Sequence, residues 1–222
     1  DVDDQNAYLE KYAGLKAYLP WNCIQRRQVA ILKAYENGSD IIILIDDDNY
    51  IACEDYTGHH LHLGSDISMP VVSSPTGWYN ICDDLQERQN RKFYPRGYSW
   101  SDRIDEVSGL SWHEKTIRTV VNAGFWLGDP DIDAVTRLAA PIDVTGYKRD
   151  HNYALDKGTF SPFNSQNTAI HRDIVPAYFL VPDIGRFDDI WSSYLVERIA
   201  WHMNDYVSYG QPLVRQNRNE HD

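Results

Sequence analysis

The amino-acid sequence predicts an α/β fold in which a mixed sheet is flanked by helices. A helical pattern in "WNCIQRRQVAILKAYENGSD" leads through a tight turn into five consecutive apolar residues, Ile41–Ile45. An unbroken apolar run of this length is typical of a strand buried on both faces, as in the centre of a parallel or mixed sheet. Three carboxylates, Asp46, Asp47 and Asp48, follow it directly. They lie at the carboxyl end of the strand, where open α/β sheets bind ligands.

Length and charge restrict the classes of protein that fit. The 222 residues suffice for one domain with a sizeable core, so we interpret residues 1–222 as a single domain. The formal net charge of −12 argues against a broad surface for nucleic acid or anionic membrane. No apolar run approaches the roughly 18 residues that span a bilayer. We therefore expect a soluble protein, in which a phosphate-bearing ligand needs a local cation.

The cysteines and the amino-terminal end add two expectations. Cys23, Cys53 and Cys82 show no metal-ligand spacing and are odd in number, which favours reduced thiols in a cytoplasmic protein. An α/β ligand-binding domain usually begins with an apolar strand, and none precedes residue 20. We therefore expect that first strand to lie outside this sequence. The oligomeric state is left open.

The helix before residue 41 carries a signal at each end. Asn22 is expected to cap its amino end, and Gly38 stands where a left-handed residue ends a helix. Further along, "MPVVSSP" predicts a short strand and "YNICDDLQERQN" predicts a short helix. The segment "TVVNAGFWLGDPDIDAVTRLA" predicts a strand that ends between Gly124 and Gly128, followed by an acidic turn and a short helix.

The last part of the chain predicts one more strand and a long helix. The strand is expected through residues 168–170, and the helix in "IGRFDDIWSSYLVERIAWHM". Five large apolar residues recur there at helical spacing and predict its buried face, namely Trp191, Tyr194, Leu195, Ile199 and Met203.

The acidic strand tip predicts a metal site. Three adjacent carboxylates repel one another, and a divalent cation removes that cost. Because alternate residues of an extended chain face the same way, Asp46 and Asp48 are expected to point into one site and Asp47 elsewhere. Oxygen ligands suit Mg²⁺ or Mn²⁺, which keep open positions for substrate phosphates. The alternative is a solvated turn, in which Asp is common.

Five segments carry a resemblance to known enzymes. "QRRQVAILKAYENGSDIIILIDDDNY" resembles the DXD region of GT-A glycosyltransferases, whose aspartates hold a divalent ion against the diphosphate of a nucleotide sugar. In chain order, "PRGYSWSDR", "NAGFWLGDPDIDAVTRL", "SPFNSQNTAIHRDIVPAYF" and "IGRFDDIWSSYLVERIAWHM" are similar to segments of the reversibly glycosylated polypeptides, or UDP-arabinopyranose mutases. The resemblance spans residues 20 to about 210. It implies a GT-A-like (Rossmann-like) fold, a UDP-linked sugar as ligand, and Mn²⁺ or Mg²⁺ as cofactor.

The loop "YPRGYSWSDR" supplies two candidate arginines. Arg96 and Arg103 stand among aromatic residues, and such arginines clamp phosphate oxygens or stack on a base or sugar. The alternative is cation–π packing in a surface loop. The resemblance implies a sharper role for Arg96, which matches the position of an arginine that accepts a sugar reversibly.

Asp188 and Asp189 are candidate catalytic carboxylates at the start of the last helix. Simple stabilisation of a helix end is the alternative, because the helix dipole favours carboxylates there. An inverting transferase needs a general base on the acceptor hydroxyl. A retaining enzyme or a mutase needs a group that stabilises an oxocarbenium-like centre. The spacing leaves these roles open.

Further candidates are expected to contact the substrate or the metal. In "GFWLGDPDID" a sugar can approach Gly128, with carboxylates as hydroxyl partners, although an ordinary acidic turn is the alternative. The predicted sugar contacts are Trp126, Gly128, Asp129, Asp131, Asn164, Gln166 and Asn167. Arg215 and Arg218 are candidates for the diphosphate, and the resemblance implies a late metal ligand, for which His221 is the candidate.

These observations predict a metal-dependent glycosyltransferase that uses a nucleotide sugar, UDP-linked, and a glycosyl acceptor. Departures from the plant family members, such as "PRGYSWSDR" in place of VRGYPFSLR, favour a different sugar or an external acceptor. One alternative is a UDP-sugar pyranose/furanose mutase with reversible self-glycosylation. Another is a non-catalytic glycan-binding module that holds Ca²⁺, although Ca²⁺ prefers about six to eight oxygens and the tip offers fewer.

Overall fold

A computed structural model describes residues 1–103 and 107–218 of the chain. The helices are α1 (Val2–Leu9), α2 (Ala13–Tyr18), α3 (Arg27–Glu36), α4 (Ala134–Ala139) and α5 (Asp188–Met203). The strands are β1 (Ile41–Ile45), β2 (Asn49–Ile51), β3 (Asp66–Ser73), β4 (Leu85–Glu87), β5 (Ser111–Gly128), β6 (Val144–Tyr147), β7 (Tyr153–Leu155), β8 (Asn167–His171) and β9 (Tyr206–Gln216). None of the helices within these residues is long and apolar enough to cross a membrane.

The described strands form one mixed sheet, which confirms the predicted α/β class. The order across it is β1-β8-β5-β3-β7-β9-β2, with β6 joining β5 and β4 joining β6. β5 also pairs with β9, and this pairing is parallel, as is that of β3 with β7. The pairs β1–β8 and β8–β5 are antiparallel. This arrangement brings the carboxyl ends of β1, β5 and β9 to the same edge as the amino end of β8.

β1 is an edge strand in the described part of the chain, so its predicted central position is wrong. Its one hydrogen-bonded neighbour there is β8, which pairs with all five of its residues. Ile42 is buried, whereas Ile45 is 42% exposed. A run of five Ile and Leu residues has no polar position to mark an open side. The pattern therefore does not distinguish a central strand from an edge strand.

The buried face of α5 is also different from the predicted one. Trp191, Leu195, Ile199 and Met203 are exposed, and Tyr194 is half-buried. The face that packs on the molecule instead carries Ile190 together with smaller or polar side chains, among them Ser193, Val196, Glu197 and Ala200. Small residues let the helix approach the sheet closely, and Glu197 is accepted in the core because it receives a hydrogen bond from Tyr209 Oη at 3.0 Å.

The remaining predicted elements are largely confirmed. "MPVVSSP" lies in β3, and β5 ends at Gly128, followed by the short helix α4 with Asp133 as its side-chain cap. Gly38 has the expected left-handed φ of 84°. Asn22, in contrast, has a positive φ of 57° and does not cap a helix, because a 3₁₀ turn at Ile24–Arg26 precedes α3. In "YNICDDLQERQN" a 3₁₀ turn leads into β4 in place of the predicted helix.

Candidate active site

An open cleft of about 640 Å³ lies at the edge of the sheet where β1 and β9 end and β8 begins. Seven segments contribute to it: the start of α3 with the turn before it, the tip of β1, the loop between β4 and β5, the turn after β5, the turn before β8, the start of α5 with the turn before it, and the end of β9. Its lining comprises Ile24, Arg27, Ile45, Asp46, Asp47, Asp48, Arg96, Asp131, Asn164, Ser165, Gln166, Arg186, Asp188, Asp189, Gln216 and Arg218. The acidic tip of β1 therefore faces a cavity large enough for a ligand.

All three tip carboxylates line the cleft, including Asp47, which was predicted to point elsewhere. The reason is that β1 ends at Ile45 and the chain turns, so the alternation of an extended strand does not continue. Asp46 Oδ1 accepts a hydrogen bond from Arg27 Nη1 at 3.1 Å. Asp48 is held by two neutral amides, from Gln216 Nε2 at 3.1 Å and from Asn49 Nδ2 at 3.0 Å.

The surroundings of Asp46 oppose its charge. Burial raises the pKa of this carboxyl, the ion pair with Arg27 lowers it, and the neighbouring Asp48 and Asp131 raise it again. The net direction is upward. A further cation beside Asp46 would therefore stabilise the ionised carboxylate.

Asp46 and Asp48 fit the coordination habits of Mg²⁺ and Mn²⁺. Such ions take one or two protein carboxylates and complete their shell with water and phosphate oxygens. Within residues 1–103 and 107–218, no group of three or more His, Cys, Asp and Glu side chains is arranged to hold a metal ion. His221, the predicted third ligand, lies outside the described residues.

Arg96 joins two carboxylates at the floor of the cleft. Its Nε donates to Asp131 Oδ1 at 2.8 Å, and its Nη2 donates to Asp131 Oδ2 at 2.8 Å and to Asp189 Oδ1 at 3.0 Å. The remaining nitrogen, Nη1, donates to the carbonyl oxygen of Arg186. All three nitrogens of the guanidinium are thus engaged, and its side chain is 18% exposed.

The two carboxylates that pair with Arg96 have pKa values shifted in opposite directions. Burial raises the pKa of Asp131, but the charge and hydrogen bonds of Arg96 and a hydrogen bond from Asn164 outweigh it, so the net pKa is lowered. At Asp189 burial outweighs Arg96, and the pKa is raised. Burial disfavours the charge on Arg96 itself, yet Asp131 and Asp189 dominate and raise its pKa. Paired carboxylates whose pKa values are driven apart are typical of acid–base sites.

The other predicted residues that line the cleft are polar, and their side chains are held by hydrogen bonds. Asp188 is 2% exposed, and its Oδ2 accepts from Gln25 Nε2 at 2.9 Å. Asn164 Nδ2 donates to Asp131 Oδ2 at 3.0 Å, and Gln166 follows two residues later in the same turn. Arg218 Nε donates to Asp129 Oδ2 at 2.9 Å at the rim. These groups place further polar side chains around the acidic tip.

Several predicted contacts lie outside the cleft and have structural partners instead. Arg103 Nη1 donates to Asp133 Oδ2 at 2.9 Å and its guanidinium stacks on Trp100, so the cation–π alternative fits its position. Asp129 is ion-paired with Arg137 and Arg218. Charged loop residues of opposite sign satisfy one another here, which leaves Arg103 and Asp129 away from the cavity lining.

Four more predicted contacts are also placed elsewhere. Trp126 is 4% exposed within the core, and Arg215 is exposed on β9 without lining the cleft. Asn167 is fully buried and donates to the carbonyl oxygen of Phe125 at 2.8 Å. Gly128 has a φ of 88°, and a Cβ there would lie 2.6 Å from the carbonyl oxygen of Gln216. The close approach of β9 is therefore one reason for glycine at this position.

Four polar cleft residues were not singled out from the sequence: Arg27, Ser165, Arg186 and Gln216. Arg27 begins the helix that leads into β1, and Arg186 precedes the acidic pair of α5. A basic residue at the end of an element that borders an acidic tip is a usable signal. Ser165 and Gln216 carry no such signal, because only the pairing of the strands brings them to the tip.

Comparison with known proteins finds several plant UDP-arabinopyranose mutases that are similar to this chain. The chain is 33% identical over 180 residues to UDP-arabinopyranose mutase 3 of Arabidopsis thaliana. This alignment covers 78% of this chain and 46% of the relative. Probable UDP-arabinopyranose mutase 1 of Pisum sativum is 30% identical over 181 residues, and UDP-arabinopyranose mutase 1 of Oryza sativa subsp. japonica is 29% identical over 181 residues.

The coverage of these relatives is partial. The chain spans about half the length of the curated relatives it matches, 46% in each of these three. No family model matches the chain. The aligned part nevertheless makes up 78% of this chain. The similarity confirms the relationship to the UDP-arabinopyranose mutase family that the sequence motifs predict.

Proposed function

We propose that the chain binds a UDP-sugar in the cleft and interconverts the pyranose and furanose forms of that sugar. The observation that carries this proposal is the meeting of an acidic strand tip with the Arg96–Asp131–Asp189 network in one cavity, in a chain related to UDP-arabinopyranose mutases. The substrate class follows from those relatives. The residues that would act follow from the cleft.

The diphosphate would lie against the tip of β1. Asp46 and Asp48 would hold Mg²⁺ or Mn²⁺, and Arg218, which also lines the cleft, would contact the phosphate oxygens. Such an ion, when bound, neutralises the charge that develops on the departing UDP. An acidic cleft would otherwise repel a pyrophosphate. The sugar would then extend towards Asn164 and Gln166, whose amides match sugar hydroxyls.

Asp131 and Asp189 would divide the chemistry at the sugar. Cleavage of the bond between the anomeric carbon and the UDP oxygen leaves an oxocarbenium-like centre, and a carboxylate that stays ionised stabilises it. Asp131 meets that need because its pKa is lowered. Asp189, whose pKa is raised, would take the proton of the C4 hydroxyl as that oxygen bonds to the anomeric carbon. It would return the proton to the former ring oxygen as the bond from that oxygen to the anomeric carbon breaks. UDP then reattaches at the anomeric carbon.

Transfer to an external acceptor is the second candidate function, and the state of Arg96 favours it over self-glycosylation. An arginine accepts a glycosyl group only through a nitrogen with a free lone pair. Arg96 is instead a cation bound to two carboxylates and one carbonyl oxygen. A mutase without an arginine-linked intermediate, or a transferase, is compatible with that arrangement.

The test is incubation of the purified chain with UDP-arabinopyranose and Mn²⁺, followed by anion-exchange separation of the nucleotide sugars. A new UDP-sugar isomer supports the mutase, whereas free UDP that appears only with an added acceptor supports the transferase. Asp131→Asn should abolish either product. The matched control is Asp143→Asn, because Asp143 pairs with Arg88 outside the cleft. Calorimetry that detects no UDP binding with Mn²⁺ present would contradict both functions.

A further inference from the structure

Arg27 places a cation at the carboxylate that is expected to bind the metal. Its Nη1 lies 3.1 Å from Asp46 Oδ1 and also donates to Ser165 Oγ. Both side chains of the ion pair are partly buried, with exposed fractions of 26% for Arg27 and 31% for Asp46. Partial burial strengthens such a pair relative to one in open solvent. The acidic tip is thus partly neutralised by the chain itself.

The two candidate metal ligands differ in this respect. Asp48 is held by the neutral amides of Gln216 and Asn49, which do not balance its charge. Asp46 has a guanidinium on Oδ1. A divalent ion that binds both carboxylates would bring a second cation next to Arg27. Either Arg27 moves away from Asp46 or the metal binds less tightly, because two cations at one carboxylate oxygen repel each other.

We propose that Arg27 is a positioning residue that competes with the divalent metal for Asp46 and transfers to the diphosphate when the nucleotide sugar binds. This inference rests on the metal site of the proposed function. Arg27 lines the same cavity as Asp46 and Asp48, and its second partner, Ser165, belongs to the turn before β8. The guanidinium therefore has phosphate oxygens within the same cavity as an alternative partner, and arginine binds phosphate well.

The consequence is coupling between metal and nucleotide. Without nucleotide, Arg27 occupies Asp46 and the metal binds weakly. With UDP present, the diphosphate engages both Arg27 and the metal, so each ligand increases the affinity of the other by the same factor. Because of this coupling, the ion binds tightly only when the nucleotide is also bound.

The experiment is titration of Mn²⁺ by calorimetry into the wild-type chain, Arg27→Gln, Arg27→Met and Arg26→Gln, first without nucleotide. Both neutral variants of Arg27 should bind Mn²⁺ about tenfold more tightly than the wild type. Arg26→Gln is the matched control, since Arg26 contacts Gln5 and Asn6 of α1, and it should leave the affinity unchanged. Two neutral replacements are used so that one that fails to fold, as judged by circular dichroism, does not decide the outcome.

The titrations are then repeated with saturating UDP. The wild type should gain Mn²⁺ affinity from UDP by a larger factor than either Arg27 variant. Equal or weaker Mn²⁺ binding by folded Arg27 variants without nucleotide would overturn the role of Arg27 while leaving the metal site intact. Absence of Mn²⁺ binding by every variant, with and without UDP, would overturn the metal site and this inference together.

Discussion

Replacement of Arg96 by Gln should destabilise the chain more than any other single change at the cleft. The side chains of Asp131 and Asp189 are only 16% and 10% exposed, and Arg96 is the cation that pairs with both. Removal of one partner from a buried ion pair costs about 3–5 kcal/mol, because the remaining charge is buried without compensation. Solvent screening gives little relief at this burial. We expect a loss of about 3 kcal/mol or more in the free energy of unfolding at pH 7.

The matched comparison is Arg103→Gln. Arg103 is similarly buried but pairs with one carboxylate, Asp133, which keeps hydrogen bonds from the backbone nitrogen and hydroxyl of Thr136. Because Asp133 stays partly satisfied, we expect a loss of about 1–2 kcal/mol. Urea denaturation followed by fluorescence measures both losses.

The pH dependence tests the cause of the Arg96 effect. Without the guanidinium, the folded-state pKa of Asp131 should rise above its unfolded value. The folded variant then binds more protons than the unfolded chain, so its deficit relative to the wild type should shrink as the pH falls from 7 towards 4. A loss below about 1 kcal/mol at pH 7, or a deficit that does not change with pH, would refute the reasoning.

Three further predictions concern single side chains. The pKa of Asp189 is raised, so its contribution to stability is complete below the unfolded pKa and is lost as the pH rises through the folded pKa. Urea denaturation between pH 4 and pH 8 should therefore show a decline in the wild type that Asp189→Asn lacks. Burial raises the pKa of Glu197 well above its ordinary value, which favours the neutral carboxyl. Glu197→Gln should therefore change the free energy of unfolding by less than about 1 kcal/mol, whereas a loss above 2 kcal/mol would indicate a buried charge. Gly128→Ala should cost about 2 kcal/mol or more in thermal denaturation, because the new Cβ meets the carbonyl oxygen of Gln216 at a positive φ. The control Gly14→Ala, which places its Cβ near no other atom, should be neutral or slightly stabilising.

The sequence predicts the local features of the cleft better than its assembly. The acidic tip follows from Asp46 standing directly after an apolar run, and the start of α5 follows from Asp188 and Asp189 at a helix beginning. Both signals depend on residues that are adjacent in sequence. The pairing of Arg96 with Asp131 and Asp189 joins positions 35 and 93 residues apart, and local periodicity contains no information on such contacts.

The wrong predictions share a physical cause. A large apolar residue on a helix marks a face that can be buried, but Trp191 and Leu195 lie outward, whereas the small residues Ser193 and Ala200 lie on the buried face. The spacing of large apolar residues does not report which face small residues leave free to pack closely. Spacing likewise does not report the parallel pairing of β5 with β9, which Gly128 accommodates because it has no side chain.

β5 is the longest of the described strands, and the cleft lies near its carboxyl end. Its 18 residues extend for roughly 60 Å, and residues 120–126 are all buried, with β8 and β9 as the neighbouring strands. Amide protons in that stretch should exchange with solvent only through global unfolding, whereas those of the turns around Asp47 and Ser165 should exchange through small local openings. Ligand-induced adjustments at the cavity can then occur within the intact sheet, at a small fraction of the free energy needed to unfold the chain.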